Sequence, residues 1–313
     1  MPLIDALLTE LETNRDAPVS GQALARRFDV SRTAVWKAVN ELKARGYAIE
    51  SAPNRGYQLA RDDDHLSPSA IARLLKEPLP LSVLDTVDSA LSEAKRRLAD
   101  GDDTRLLIVA DSQTAGRGRR GRQFYSPKGA GLYLTLAMPL PLSVEAAPGI
   151  TAYAAVCVCK AVETLTGKQG QIKWVNDVFL DGKKICGILT EASTSLESGM
   201  IETVYIGIGV NVHPCEVPED LQEIIGFLNP QTPIRNKLAA EITNGLLAFE
   251  ENRQRFLDDY RARSLTIGRR VQCIVGNETF TATAVGIDPL GGLIVRLDGG
   301  EERTLHSGEA KLL

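Results

Sequence analysis

Histidine and cysteine are scarce in this 313-residue chain, at three and five. His65, His213 and His306 lie far apart, without the spacing of a metal site. Cys157, Cys159, Cys186, Cys215 and Cys273 contain no Cys-x-x-Cys pair and are odd in number. That pattern suggests neither a zinc site nor a disulfide framework, and the five read as small apolar side chains of a buried core in a reducing compartment. Also missing is any apolar run approaching the roughly 20 residues that cross a bilayer. The opening MPLIDALLTELE is acidic where a signal peptide is basic. Both absences point to a cytoplasmic protein with no membrane contact. Nor is there an excess of positive charge: 36 Lys and Arg face 40 Asp and Glu, a formal net charge of −4. Nucleic-acid binding, if present, must therefore be local. There is no internal repeat and no low-complexity tract. What remains, 43% hydrophobic and 24% charged residues, is the composition of an ordinary globular protein long enough for two or three domains.

Residues 1–64 read as a compact helical unit ending in a hairpin. Leu24, Ala25 and Phe28 share one helical face; after the short turn Asp29-Val30, Ser31 is a good N-cap, and Val35, Val39 and Leu42 continue at helical spacing. YAIES and GYQLA alternate around Pro53-Asn54-Arg55-Gly56, giving strand, turn and strand. Two helices at a tight turn followed by a wing resemble the winged helix-turn-helix. Its second helix would present Arg32, Thr33, Trp36, Lys37 and Asn40 outward, types that reach phosphates and base edges, with Arg55 on the wing. From 26 to 55 seven basic residues face three acidic ones, a local excess in an acidic chain. A helical protein-interaction module is the alternative reading.

The charged stretch Arg61-Asp62-Asp63-Asp64-His65 reads as a linker, and Ser67-Pro68-Ser69 opens a new helical pattern. Residues 65–264 mix strands (RLLIVA, GLYLTLAM, KKICGILTEA, VYIGIGVNV) with helices at about 90–99, 145–166 and 235–263, an α+β pattern. Residues 265–313 carry short alternating strands with Gly and Asp-Pro turns, the pattern of a small β-barrel.

Between two strongly apolar strands lies DSQTAGRGRRGRQFYSPKG, whose residues 112–129 carry five positive charges and no negative one. Its glycines let backbone approach a ligand, and its guanidiniums supply forked donors for phosphate or carboxylate oxygens. A loop so charged is expected to be mobile when empty. Arginine-glycine segments that bind RNA are long, repetitive and terminal; this one is single and embedded, which favours an anion-binding lid. The Gly-x-x-x-x-Gly-Lys-Ser/Thr pattern of a P-loop is absent.

GRGRRGR followed by FYSPKGAGLYLT, KWVND, GKKICGILTE and GIGVNV resembles the biotin protein ligase family. With the winged helix in front, the chain is similar to the bifunctional members that also repress biotin synthesis. The resemblance covers the whole chain. It implies a winged helix-turn-helix, a mixed-sheet catalytic domain of the biotin/lipoate ligase type and an SH3-like barrel. It also implies ATP and biotin as substrates with Mg²⁺, conversion of biotin to biotinyl-5′-AMP, and transfer to a lysine of a biotin carboxyl carrier domain. Operator DNA and a ligand-promoted homodimer follow as partners. By family match Lys184 and Arg119 are catalytic. Ser89, Gln113, Gly116, Arg117, Arg119, Lys184, Gly187 and Gly207 border biotin. Arg119, Arg120, Arg122, Phe124, Lys173, Asn176 and Asn211 take the nucleotide, and Asp177 the Mg²⁺. Without the family, Lys183-Lys184 after Asp181-Gly182 is simply a hairpin turn. Strand alternation puts Lys184 on the face of Cys186 and Ile188. Four positions depart from the family pattern: Ala90 and Leu91 stand where Ser-Thr-Asn has its last two residues, Val175 replaces the proline of Lys-Trp-Pro-Asn-Asp, and Phe124 replaces a tryptophan. The first two leave open a biotin-sensing regulator without catalysis, and the shared fold leaves open a ligase for a related acid such as lipoate.

Overall fold

The computed structural model describes residues 2–52, 55–101, 105–144, 147–195 and 197–313. They divide into two compact units, one of residues up to 74 with 230–237, the other of 75–229 with 238–313.

In the first unit α1 (Leu3–Thr13), α2 (Gly21–Arg27) and α3 (Arg32–Ala44) precede the antiparallel hairpin β1 (Ile49–Ala52) and β2 (Gly56–Leu59), then α4 (Pro68–Leu74). Ser20 and Ser31 cap α2 and α3, each accepting from the third N–H beyond it, at 3.0 and 3.1 Å. Leu7, Leu11, Leu24, Val35, Val39 and Leu42 close one core with Ile49 and Leu59. Pro53 and Asn54 of the expected turn lie outside the described residues. The stretch 61–65 is tied down rather than a free linker, because Asp63 is buried: its carboxylate accepts from the Ala48 N–H at 2.7 Å and the His65 N–H at 3.1 Å. Those bonds outweigh the cost of burial and hold its pKa below the ordinary value.

The second unit begins with β3 (Leu81–Leu84), α5 (Ala90–Ala99), β4 (Leu106–Ala110), β5 (Gly131–Leu142) and α6 (Ala147–Thr166). It continues through β6 (Gln171–Lys173), β7 (Asp177–Leu180), β8 (Lys183–Thr194) and β9 (Ile201–Asn211). Seven strands form a mixed sheet in the order β3-β4-β5-β9-β8-β7-β6, parallel at β3/β4 and antiparallel elsewhere. On one face α5 packs Ala90, Leu91 and Ala94 against Ile108, Tyr133, Ala137 and Tyr205, with Leu189 beside them. On the other face Thr151 of α6 donates to Thr190, the residue after Leu189, at 3.0 Å. α6 corrects one expectation: at 20 residues it is long and apolar enough to cross a membrane, but its apolar window is 72% buried inside the fold, as a core helix is.

The single helix expected at 235–263 is three: α7 (Arg235–Leu247), α8 (Phe249–Asn252) and α9 (Phe256–Ala262). Tyr153 takes Phe249 and Phe256 edge-on at 5.1 and 5.3 Å, and burying both rings against one partner turns the chain between them. The C-terminal strands β10 (Arg270–Val275), β11 (Glu278–Ile287), β12 (Leu293–Arg296), β13 (Glu302–Leu305) and β14 (Glu309–Leu312) form an all-antiparallel sheet in the order β13-β12-β11-β10-β14, consistent with a barrel. Four of the five cysteines are buried and Cys215 is partly exposed; burial pushes the Cys157 and Cys159 thiols up to about 12.

Candidate active site

A cleft opens at the α5 side of the mixed sheet. Its floor is glycine: Gly187 of β8 pairs with Gly209 of β9, and Gly207 pairs with Leu189. The Phe124 ring lies on that floor, so close that a Cβ on Gly209 would stand 2.4 Å from it and one on Gly187 3.0 Å. A side chain at Gly209 would displace the ring.

The arginine loop arches over the cleft as a small hairpin. Gly118 N–H donates to Arg122 O at 2.7 Å, Phe124 N–H donates to Gly116 O at 2.9 Å, and Arg120 holds a left-handed φ of 57°. Each of its four arginines has a partner outside the loop. Arg117 pairs with Glu191 at 2.8 Å. Arg119 donates to Asn176 Oδ1 at 3.2 Å and to Gly308 O at 3.1 Å, and Arg120 donates to Ile274 O at 3.2 Å. Arg122 forks onto Glu309 at 3.2 and 2.7 Å. Burial raises the Glu309 carboxyl, yet the Arg122 bonds outweigh it and hold its pKa low. Desolvation lowers the pKa of Arg119, countered by nearby Asp177.

Lys184 enters from β8, its Nζ 2.7 Å from Asp177 Oδ1. It does not share the face of Cys186. The β7/β8 register jumps between Val178 and Phe179, so Ile185 is a bulge residue and alternation fails there. Lys184 Nζ accordingly lies 3.2 Å from where a Gly187 Cβ would be, on the cleft side. Lys183 points elsewhere and donates to Gln222 O at 3.0 Å. Trp174 is buried and pinned, its Nε1 donating to Gly291 O at 3.1 Å and its N–H to Thr266 Oγ1 at 3.0 Å; the Trp174–Val175 peptide is cis.

The fold thus brings Ser89, Gln113, Arg117, Arg119, Arg120, Arg122, Phe124, Lys173, Asn176, Asp177, Lys184, Gly187 and Gly207 to one cleft. Ser89 also caps α5, accepting from Ser92 N–H at 3.4 Å, while Asp88 is held by Arg96 at 2.9 and 2.7 Å. Two expected residues are not on its wall. Gly116 sits behind it, where a Cβ would meet Phe124 O at 2.4 Å and Ser126 Oγ at 2.7 Å. Asn211 is turned to the backbone, its Nδ2 donating to Lys184 O at 3.3 Å, and so braces the lysine strand. Sequence reasoning missed Thr135, Leu189, Gly308 and Glu309, which also line the cleft. No local motif marks them. The expected DNA-contact residues Arg32, Thr33, Trp36, Lys37 and Asn40 all lie on the exposed side of α3, and Arg55 is exposed between β1 and β2.

Three family models match: an HTH domain over 4–58, the biotin/lipoate A/B protein ligase family over 89–211, and the biotin protein ligase C-terminal domain over 266–313. The bifunctional ligase/repressor BirA of Bacillus subtilis is 33% identical over 307 residues, covering 94% of each chain. The chain belongs to the biotin protein ligase family. The Escherichia coli bifunctional ligase/repressor BirA is 30% identical over 306 residues, covering 93% of this chain and 94% of its own. Among solved biotin protein ligases, that of Aquifex aeolicus in complex with biotin and ATP superposes with a TM-score of 0.61 at 27% identity, over 75% of this chain and 98% of its own.

Proposed function

We infer that this chain is an ATP-dependent biotin protein ligase that also acts as a DNA-binding repressor of biotin synthesis. One observation carries the enzymatic half: four loop arginines and two lysines converge on a glycine-floored cleft large enough to be lined by both sheet and barrel residues. Joining a carboxylate to a triphosphate gathers negative charge, and fixed cations stabilise it. A biotin carboxylate oxygen attacks the α-phosphorus of ATP and pyrophosphate leaves. The amine of a carrier-domain lysine then attacks the carbonyl carbon of the anhydride, and AMP leaves. Lys184 would hold the carboxylate oxygen as it becomes bridging, and Arg119 would hold the phosphate. Closure of the loop keeps water from a mixed anhydride that hydrolyses readily in the open.

The residues present suit Mg²⁺. Asp177 Oδ1 is buried with Lys184 Nζ against it at 2.7 Å as its counter-charge, and a carboxylate so placed at the cleft is the kind of oxygen donor a hard cation takes. Asp177 would hold the ion together with the nucleotide phosphates, whose charge it would neutralise. We assign residues 1–64 to DNA binding, 65–264 to catalysis and 265–313 to the barrel, place the protein in the cytoplasm, and expect the adenylate to promote a homodimer that sets two winged helices on a two-fold operator.

Incubation with ATP, Mg²⁺, biotin and a carrier domain, followed by the mass of the carrier, tests the reading. A biotin-sized mass increase is expected, and an unchanged carrier would overturn it. Biotin-dependent pyrophosphate exchange excludes a sensor without catalysis, and competition by lipoate in the same assay excludes a lipoate ligase if it fails.

A further inference from the structure

We propose that Thr135 fixes specificity for the urea ring of biotin by hydrogen-bonding it through its hydroxyl; the proposal rests on the biotin ligase reading. Thr135 lies in the middle of β5 and is 1% exposed. Its Oγ1 is buried and has no hydrogen-bond partner, and the residue lines the cleft. A buried hydroxyl with nothing to bond is destabilising, and valine would fill the same volume without that cost. Other polar side chains of the cleft, Gln113 and Ser89 among them, have at least one partner, as Thr135 Oγ1 has not. Gln113 Oε1 accepts from Ala90 N–H at 2.9 Å while its Nε2 donates to Ser126 at 2.9 Å, and Ser89 caps α5.

The space beside that hydroxyl is kept open by the strand partner of Thr135, Gly207. A Cβ on Gly207 would stand 3.6 Å from Thr135 Oγ1 and 3.1 Å from Leu91 Cδ1. A gap at this point thus has a free hydroxyl on one side and, on the other, the apolar Leu91 that stands where the family pattern has an amide. A cyclic urea presents a carbonyl acceptor flanked by N–H donors, and a hydroxyl can serve either. A dithiolane or plain alkyl chain would leave the hydroxyl buried and unpaired, which is how one such group discriminates between acids of similar length.

The test is calorimetric binding of biotin to the full chain and to T135V and T135S. We expect T135V to weaken biotin binding roughly tenfold and T135S to stay within about twofold of wild type. In pyrophosphate exchange the valine variant should raise KM for biotin while kcat and KM for ATP hold. T135V with unchanged affinity, or T135V and T135S weakened alike, would overturn the proposal, the second by showing a packing role. If the valine variant does not fold, the wild-type complex decides: Thr135 Oγ1 within hydrogen-bond distance of a urea atom supports it, and a hydroxyl beyond 4 Å, roughly past hydrogen-bond reach, overturns it. A wild type that binds biotin but exchanges no pyrophosphate would defeat the ligase reading alone; one that binds no biotin defeats both.

Discussion

Lys184 shows how one bulge decides a residue's role. Alternation along KKICGIL assigns it to the wrong face, because a period of two cannot register the extra residue at Ile185. The lysine was legible through its motif; its direction needed the β7 register. Replacing it by alanine should lower pyrophosphate exchange by about 10² to 10³ while the circular dichroism spectrum stays native, since the side chain, 25% exposed, stands at the cleft rather than in the core. Gly209 makes the converse case. Gly209→Ala should displace Phe124 and cut exchange at least about tenfold, and adding Phe124→Ala should recover part of it, because the alanine methyl no longer meets a ring. Asp88 offers a pH readout: the Arg96 hydrogen bonds lower its carboxyl from 3.8 to about 2. A depressed carboxyl contributes stability above its ordinary pKa and loses it as pH falls toward 2. Asp88→Asn should therefore flatten the acid limb of a plot of thermal midpoint against pH between about 5 and 2.5. Thr135 and Glu309 were illegible, since a lone threonine in an apolar strand and a lone acid near the end carry no spacing to read.

At the scale of elements, helix caps, the recognition helix and the alternating strands were readable because each depends on neighbours in sequence. The division of 235–263 into three helices was not, because it is imposed by Tyr153 some hundred residues away. Phe256→Ala should cost about 3 to 5 kcal/mol, read as a lowered urea midpoint with an unchanged slope. The arginine loop falls between these cases: its chemistry was evident, its posture was not. The partners of its charges cannot be read within the segment, since Glu191 and Glu309 come from distant strands. Glu309→Gln should make the loop's arginines more sensitive to trypsin and increase free biotinyl-adenylate in the medium. Exposed ion pairs contribute little singly, so the change should be a few-fold.

At the scale of the molecule, positive charge is concentrated locally. A formal −4 overall coexists with a basic stretch at 26–55, so binding to duplex DNA should be specific and steeply salt-dependent. Trp36 is 54% exposed, unusual for so large an aromatic ring on a helix that already buries Val35, Ala38 and Val39. Trp36→Ala should weaken binding to a duplex selected from a random pool, in the presence of biotin and ATP, while ligation of the carrier is unchanged. The small C-terminal sheet holds none of the residues assigned to catalysis, yet Gly308 and Glu309 at its edge anchor two of the loop's guanidiniums. Damage there, far from any catalytic side chain in sequence, would surface as acylation of bystander amines: the activated acid would escape to neighbouring proteins instead of waiting for its proper acceptor.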